Sequence, residues 1–172
     1  MGWTIDSPIA PEPKAILLGV PHTTIWDLVV SYLFYESCGG NAKVMIKKEA
    51  FFWPLGPILR AIGGVPIDRS NATSMVMSII DEFNSKEVFH LAMCPEGTRK
   101  AVKRWKLGFH KIARETGAAV YLSYFDWGTK HIGIGERFEL TDDPQADVKE
   151  IRKKYKEMHL VGFHKDGYTD EL

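Results

Sequence analysis

Val88-Phe89-His90-Leu91-Ala92-Met93 runs directly into Cys94-Pro95-Glu96-Gly97-Thr98-Arg99. The first half is an apolar, β-prone run and reads as a strand. The second half is a polar turn. A strand that ends in ionisable groups presents them at the carboxyl edge of a sheet, where open α/β folds place their sites. The same grammar occurs upstream, where Ala15 to Val20 leads into Pro21-His22-Thr23-Thr24-Ile25-Trp26-Asp27. One stretch supplies a carboxylate, a hydroxyl and a guanidinium. The other supplies a base with a carboxylate partner. Together they point to acid–base chemistry on a phosphorylated substrate.

Working outward, the segments alternate. Asp27–Ser37 reads as a largely apolar helix stopped by Gly39-Gly40. Lys43–Ile46 and Gly64–Ile67 read as short strands. Asn71 is placed to cap a helix whose apolar face is Met75, Ile79, Ile80 and Phe83. Leu107–Thr116 reads as a helix closed by Gly117. Ala119–Phe125 and His131–Gly135 read as strands too close for a helical crossover, hence an antiparallel hairpin. Val148, Ile151, Tyr155 and Met158 line one face of a last helix. Strands separated by helices predict an α/β fold, a single-layer, mostly parallel mixed sheet flanked by helices.

Length and composition set limits. A chain of 172 residues suffices for one domain with a real core, so residues 1–172 are expected to form a single domain. Lys plus Arg equals Asp plus Glu, at 22 each, so net charge gives no reason to expect nucleic acid as a partner. Two cysteines, Cys38 and Cys94, do not make a disulfide framework. With no signal peptide visible and no run near the ~20 apolar residues of a spanning helix, the expected location is the cytoplasm, extended to peripheral contact with the inner face of a membrane.

Each polar stretch has a plain structural reading beside the chemical one. On a single helix His22 and Asp27 would diverge by roughly 140°. They meet only if His22 lies in the loop and Asp27 opens the helix. Asp27 then either caps backbone N–H groups or fixes the tautomer of His22, leaving the far ring nitrogen as a base. Gly97 permits a tight turn, and Arg99 with Thr98 can bind phosphate, whereas the same residues also suit an ordinary strand-to-helix turn. Arg99 to Arg114 contains seven basic residues and no acidic one. It is either a solvated helix face or a patch for anionic phosphates or an anionic bilayer, and Trp105 within it favours an interface. Ala50–Ile62 is apolar but broken by Pro54, Gly56 and Pro57, and core packing is the expectation for most of its large side chains. One histidine among scattered carboxylates lacks metal-ligand spacing, so no metal is expected.

Taken together, these stretches resemble the glycerolipid acyltransferase family. That family has a His-x4-Asp motif, here His22 to Asp27, and a Gly-x4-Arg block, here Gly64 to Arg69. Its Pro-Glu-Gly-Thr-Arg block is Pro95 to Arg99 here, and its Lys-rich stretch leading to Pro-x-Gly is Lys47-Lys48 through Pro54 and Gly56. The blocks fall in the family's order across residues 15 to 125. Pro21 stands where the family usually has Asn, and the stretch Ala119 to Tyr124 lacks the prolines of the fourth family block.

The resemblance implies acyl transfer from acyl-CoA or acyl-carrier protein, as co-substrate and with no cofactor, to a hydroxyl of a lysophospholipid-like acceptor such as 1-acylglycerol-3-phosphate. It makes His22 and Asp27 the catalytic pair. It assigns substrate binding to Glu96, Gly97, Thr98, Arg99, Gly64, Arg69 and Lys47, with Arg69 and Arg99 on the acceptor phosphate and Glu96 placing the acceptor or Arg99. Backbone N–H groups near the helix at Asp27 are the candidate oxyanion donors. The expected partners are the thioester donor, the lipid acceptor and an anionic membrane surface. Two other functions use the same residues: a thioesterase or ester hydrolase in which the His22–Asp27 pair activates water, and a non-catalytic lipid- or phosphate-binding module.

Overall fold

The computed structural model describes residues 2–7, 9–68 and 70–168. In chain order the elements are β1 (Thr4–Ile5), β2 (Lys14–Leu18), α1 (Trp26–Ser37), β3 (Ala42–Lys47), α2 (Leu55–Ala61), β4 (Gly64–Ile67) and α3 (Ala72–Ser85). There follow β5 (Phe89–Met93), α4 (Gly108–Thr116), β6 (Ala119–Tyr121), β7 (Tyr124–Asp126), β8 (His131–Gly133), β9 (Arg137–Phe138) and α5 (Pro144–Glu157). The larger sheet has the order β4-β3-β5-β2-β6-β9. Its pairs are parallel except β6 with β9. This is the expected mostly parallel mixed sheet flanked by helices.

The central strands are apolar on both faces because helices cover both. In β2, Ile16 and Leu18 face one cluster with Ile79 and Phe83 of α3, Phe109 and Ile112 of α4 and Ile151 and Tyr155 of α5. Ala15 and Leu17 face the other, with Val30, Phe34 and Tyr35 of α1. The alternation follows from the two-residue period of a strand. The helix ends obey local chemistry. Asn71 Oδ1 accepts from Ser74 N at 3.0 Å, capping α3 as its sequence predicts. Gly117 adopts φ +69 and stops α4.

The expected antiparallel pair forms, between Tyr124–Asp126 and His131–Gly133, but the run that enters it is divided between two sheets. The chain from Ala119 to Asp126 is two strands, not one. β6 pairs with β9, whereas β7 pairs antiparallel with β8 in a second sheet of order β1-β8-β7. The break falls at Leu122–Ser123, where Leu122 N donates to Glu136 O and Val20 N donates to Ser123 O. Val20 thus carries the parallel ladder of β2 past the break, as a bridge to Tyr124.

Two further expectations are corrected. Trp105 is core rather than interface, with its ring 5.7 Å from that of Tyr155. Conversely, Phe52, Trp53, Leu55 and Ile58 are exposed, Trp53 at 84%. The cause is topological, because α2 joins the two outermost strands on that side and lies beyond the layer that the longer helices cover.

Candidate active site

β2 and β5 are neighbours, yet the chains leaving them go to opposite faces of the sheet. α1 packs in the cluster with Ala15 and Leu17, and α4 in the cluster with Ile16 and Leu18. Open α/β sheets bind ligands in the crevice at such a reversal. His22 follows β2 and Glu96 follows β5, so topology alone brings these two residues together.

His22 Nδ1 lies 3.1 Å from Asp27 Oδ2. The imidazole is 23% exposed and the carboxylate 1% exposed. Asp27 sits in the first turn of α1, and its Oδ2 also accepts from Thr23 N at 2.7 Å and Thr24 N at 2.8 Å. Asp27 is therefore not the helix cap, since the N-cap of α1 is Ile25 and no side chain caps it. The carboxylate ties down the loop amides and meets the imidazole. With Nδ1–H donating to Asp27, the lone pair of His22 is left on Nε2, which has no hydrogen-bond partner among the described residues.

Glu96 is buried, and its Oε1 accepts from His22 N at 3.0 Å. Burial pushes its carboxyl up to about 7, and the charge of Asp27 adds to the rise. Its Oε2 has no partner among the described residues. The expected role of Glu96 in placing Arg99 is therefore revised, because its contact is the backbone of His22. Gly97 turns the chain with φ +69, and a side chain there would meet the aliphatic stem of Lys106 at 3.1 Å. That packing brings a further cation to the turn. Thr98 Oγ1 accepts from Lys100 N at 3.4 Å, and Arg99 is exposed.

Of the remaining site residues, Lys47 lies on the same edge. Lys47 ends β3, one strand beyond β5. Arg69 lies outside the described residues. Its neighbour Asp68 follows β4, pairs with Lys48 and accepts from Ser70 N and Oγ. β4 is three strands from β2, about 14 Å at the usual strand spacing. Gly64 begins β4 and so lies at the opposite end of that strand. A Cβ there would meet Leu59 O at 2.6 Å, which gives the glycine a packing reason.

Of the expected oxyanion donors at the head of α1, four already have partners. Thr23 N and Thr24 N bind Asp27, Trp26 N reaches Thr24 Oγ1 and Leu28 N reaches Ile25 O. Sequence reasoning missed one neighbour, Trp127, whose indole N–H donates to Asp27 Oδ1 at 2.8 Å. No signal connects the two across that length of chain. A small apolar cleft of about 50 Å³ lies beneath α1, with Gly19, Phe34, Phe125 and Ile134 in its wall. Among the described residues, no three His, Cys, Asp or Glu side chains gather closely enough to hold a metal ion.

A family model described as Acyltransferase matches residues 6–124. Among solved structures, the 1-acyl-sn-glycerophosphate (LPA) acyltransferase PlsC from Thermotoga maritima is similar, with a TM-score of 0.63 at 15% identity. The match covers 90% of this chain and 71% of that one, and at this identity it is a likeness of fold. No protein of curated function matches the sequence.

Proposed function

This chain belongs to the acyltransferase family, and from that premise we propose that it moves a fatty acyl group from an acyl thioester to a hydroxyl of a lysophospholipid-like acceptor. The donor is acyl-CoA or acyl-carrier protein, and the preferred acceptor is 1-acylglycerol-3-phosphate. Residues 1–172 act as one catalytic domain in this reading. The observation that carries it is the single side-chain hydrogen bond of His22 among the described residues. Asp27 takes Nδ1, and Nε2 is left at the sheet edge.

His22 Nε2 accepts the proton of the acceptor hydroxyl as the oxygen attacks the thioester carbonyl. The C–S bond then breaks, and the thiolate leaves with the proton that His22 returns. The buried carboxylate of Asp27 steadies the imidazolium between these steps. No covalent enzyme intermediate is required. A positioned base contributes ~10²–10⁴-fold, and orientation of the two substrates contributes more. Arg99, Arg69 and Lys47 supply positive charge for the acceptor phosphate, with Thr98 and the turn at Gly97 beside Arg99. The unpartnered Oε2 of Glu96 supports a contact to the acceptor, as a donor when protonated and as an acceptor otherwise.

The proposed working place is the cytoplasmic face of a membrane. Among the described residues no helix is long and apolar enough to cross one. Ile25 and Trp26 beside His22, and Phe52, Trp53 and Ile58 beyond β3, are exposed near the edge that holds the site. That placement supports interfacial contact. Product analysis tests the transferase reading. Labelled acyl-CoA is incubated with and without lysophosphatidic acid, and the label should move to a diacyl product only when the acceptor is present. Equal release of free fatty acid in both would make the protein a hydrolase.

A further inference from the structure

We propose that Trp127 is a positioning residue for Asp27 and, through Asp27, for His22; the inference rests on the catalytic reading of that pair. Trp127 lies just beyond β7 and outside the residues that the family model matches. Oδ2 of Asp27 is crowded by Thr23 N, Thr24 N and His22 Nδ1. Oδ1 receives the indole N–H of Trp127 at 2.8 Å. A carboxylate held at both oxygens cannot turn about its last bond. The indole therefore fixes the plane in which the carboxylate faces His22.

The donor itself is held on several sides. The Trp127 ring meets Trp3 edge-on at 4.9 Å and Phe163 at 4.8 Å between centroids. Trp127 N donates to Val161 O at 2.9 Å, and Val161 N donates to Asp126 Oδ1 at 2.9 Å. The segment that holds Phe163 also reaches the catalytic loop directly. His164 N donates to Thr23 Oγ1 at 3.3 Å, and a Cβ on Gly162 or Gly167 would come within 2.6 Å or 3.0 Å of the Thr23 methyl group. The chain after α5 thus grips both Trp127 and the loop that carries His22.

The test is a double-mutant cycle on the full chain. Trp127→Phe keeps an aromatic ring and removes the N–H. Acyl transfer is measured for wild type, Trp127→Phe, Asp27→Asn and the double variant, with thermal unfolding of each. Trp127→Phe should lower kcat about tenfold and leave KM for both substrates within twofold. In the Asp27→Asn background it should cause no further loss, because the oriented carboxylate is already gone. A nitrogen-detected NMR spectrum of the His22 ring should also change, from one tautomer protonated at Nδ1 to a mixture. An equal loss of kcat in both backgrounds, or no loss in either, would overturn the role of Trp127 alone. If Asp27→Asn itself keeps the full rate, the catalytic pair falls first and this inference with it. Should Trp127→Phe not fold, replacement of the indole by its benzothiophene isostere removes the same N–H and gives the same decision.

Discussion

At the residue scale, Glu96 makes the sharpest statement about pH. Its carboxyl is pushed up to about 7 in the fold, first by burial, against an ordinary value of 4.5. The folded chain therefore binds that proton more tightly than the unfolded chain does. The group's contribution to stability falls as pH rises from about 4.5 to about 7 and is flat above that. The loss is on the order of 3 kcal/mol at most. Glu96→Gln should be more stable than wild type at pH 8 by up to that amount and nearly equal to it at pH 4, as read by denaturant unfolding at both values. A difference that ignores pH would mean that the carboxyl titrates normally. Arg99 is exposed and belongs to substrate binding in this account. Arg99→Ala should raise KM about tenfold for a phosphorylated acceptor, the scale of one charge-assisted contact, and leave a phosphate-free acceptor unaffected. If both acceptors change alike, Arg99 does not read phosphate. His22, Asp27 and Glu96 were legible in the sequence because each follows a strand, and strand ends in a parallel sheet share an edge. Trp127 was not legible, since its partner lies 100 positions away and no local pattern marks the meeting.

Among the elements, β4 separates two explanations of one motif. The Gly-x4-Arg block assigns Gly64 to substrate binding, yet a Cβ there would meet Leu59 O at 2.6 Å and Ile46 Cδ1 at 2.9 Å. Gly64→Ala should cost roughly 1–3 kcal/mol of stability, as overpacking usually does, without changing KM for the acceptor. A normal melting temperature with a raised KM would return Gly64 to the substrate. Most helices and strands were readable because apolar periodicity and caps agree, as at Asn71 and Gly117. The switch of the chain from β6 to β7 was not readable. One apolar run from Ala119 to Phe125 serves two sheets, and only the position of Val20 and Glu136 breaks it. The exposure of Phe52 and Trp53 was missed for a related reason. Apolar composition predicts burial, but α2 connects the two outermost strands on its side of the sheet and has no layer outside it.

For the whole molecule, the account joins a catalytic crevice to an interfacial surface. The basic run from Arg99 to Arg114 is less uniform than its sequence suggests. Arg114 pairs with Asp142, Lys111 lies 3.9 Å from Glu115, and Trp105 is core. The remaining cations contribute at most ~1 kcal/mol each near an anionic bilayer. Binding to anionic vesicles should therefore be weak, salt-sensitive and further reduced by Trp53→Asp, and binding to neutral vesicles should be slight. Co-sedimentation at low and high salt checks this, and binding indifferent to salt and to lipid charge would remove the electrostatic part. The central claim is that His22, aligned by Asp27, is the base for acyl transfer. Its most direct measurement is the rate of diacyl product formation from labelled acyl-CoA and lysophosphatidic acid by wild type and by His22→Ala, with the melting temperature of each. The account predicts a loss of at least a hundredfold in rate, in line with a positioned general base, while the melting temperature stays within a few degrees. Equal rates in the two proteins would contradict it.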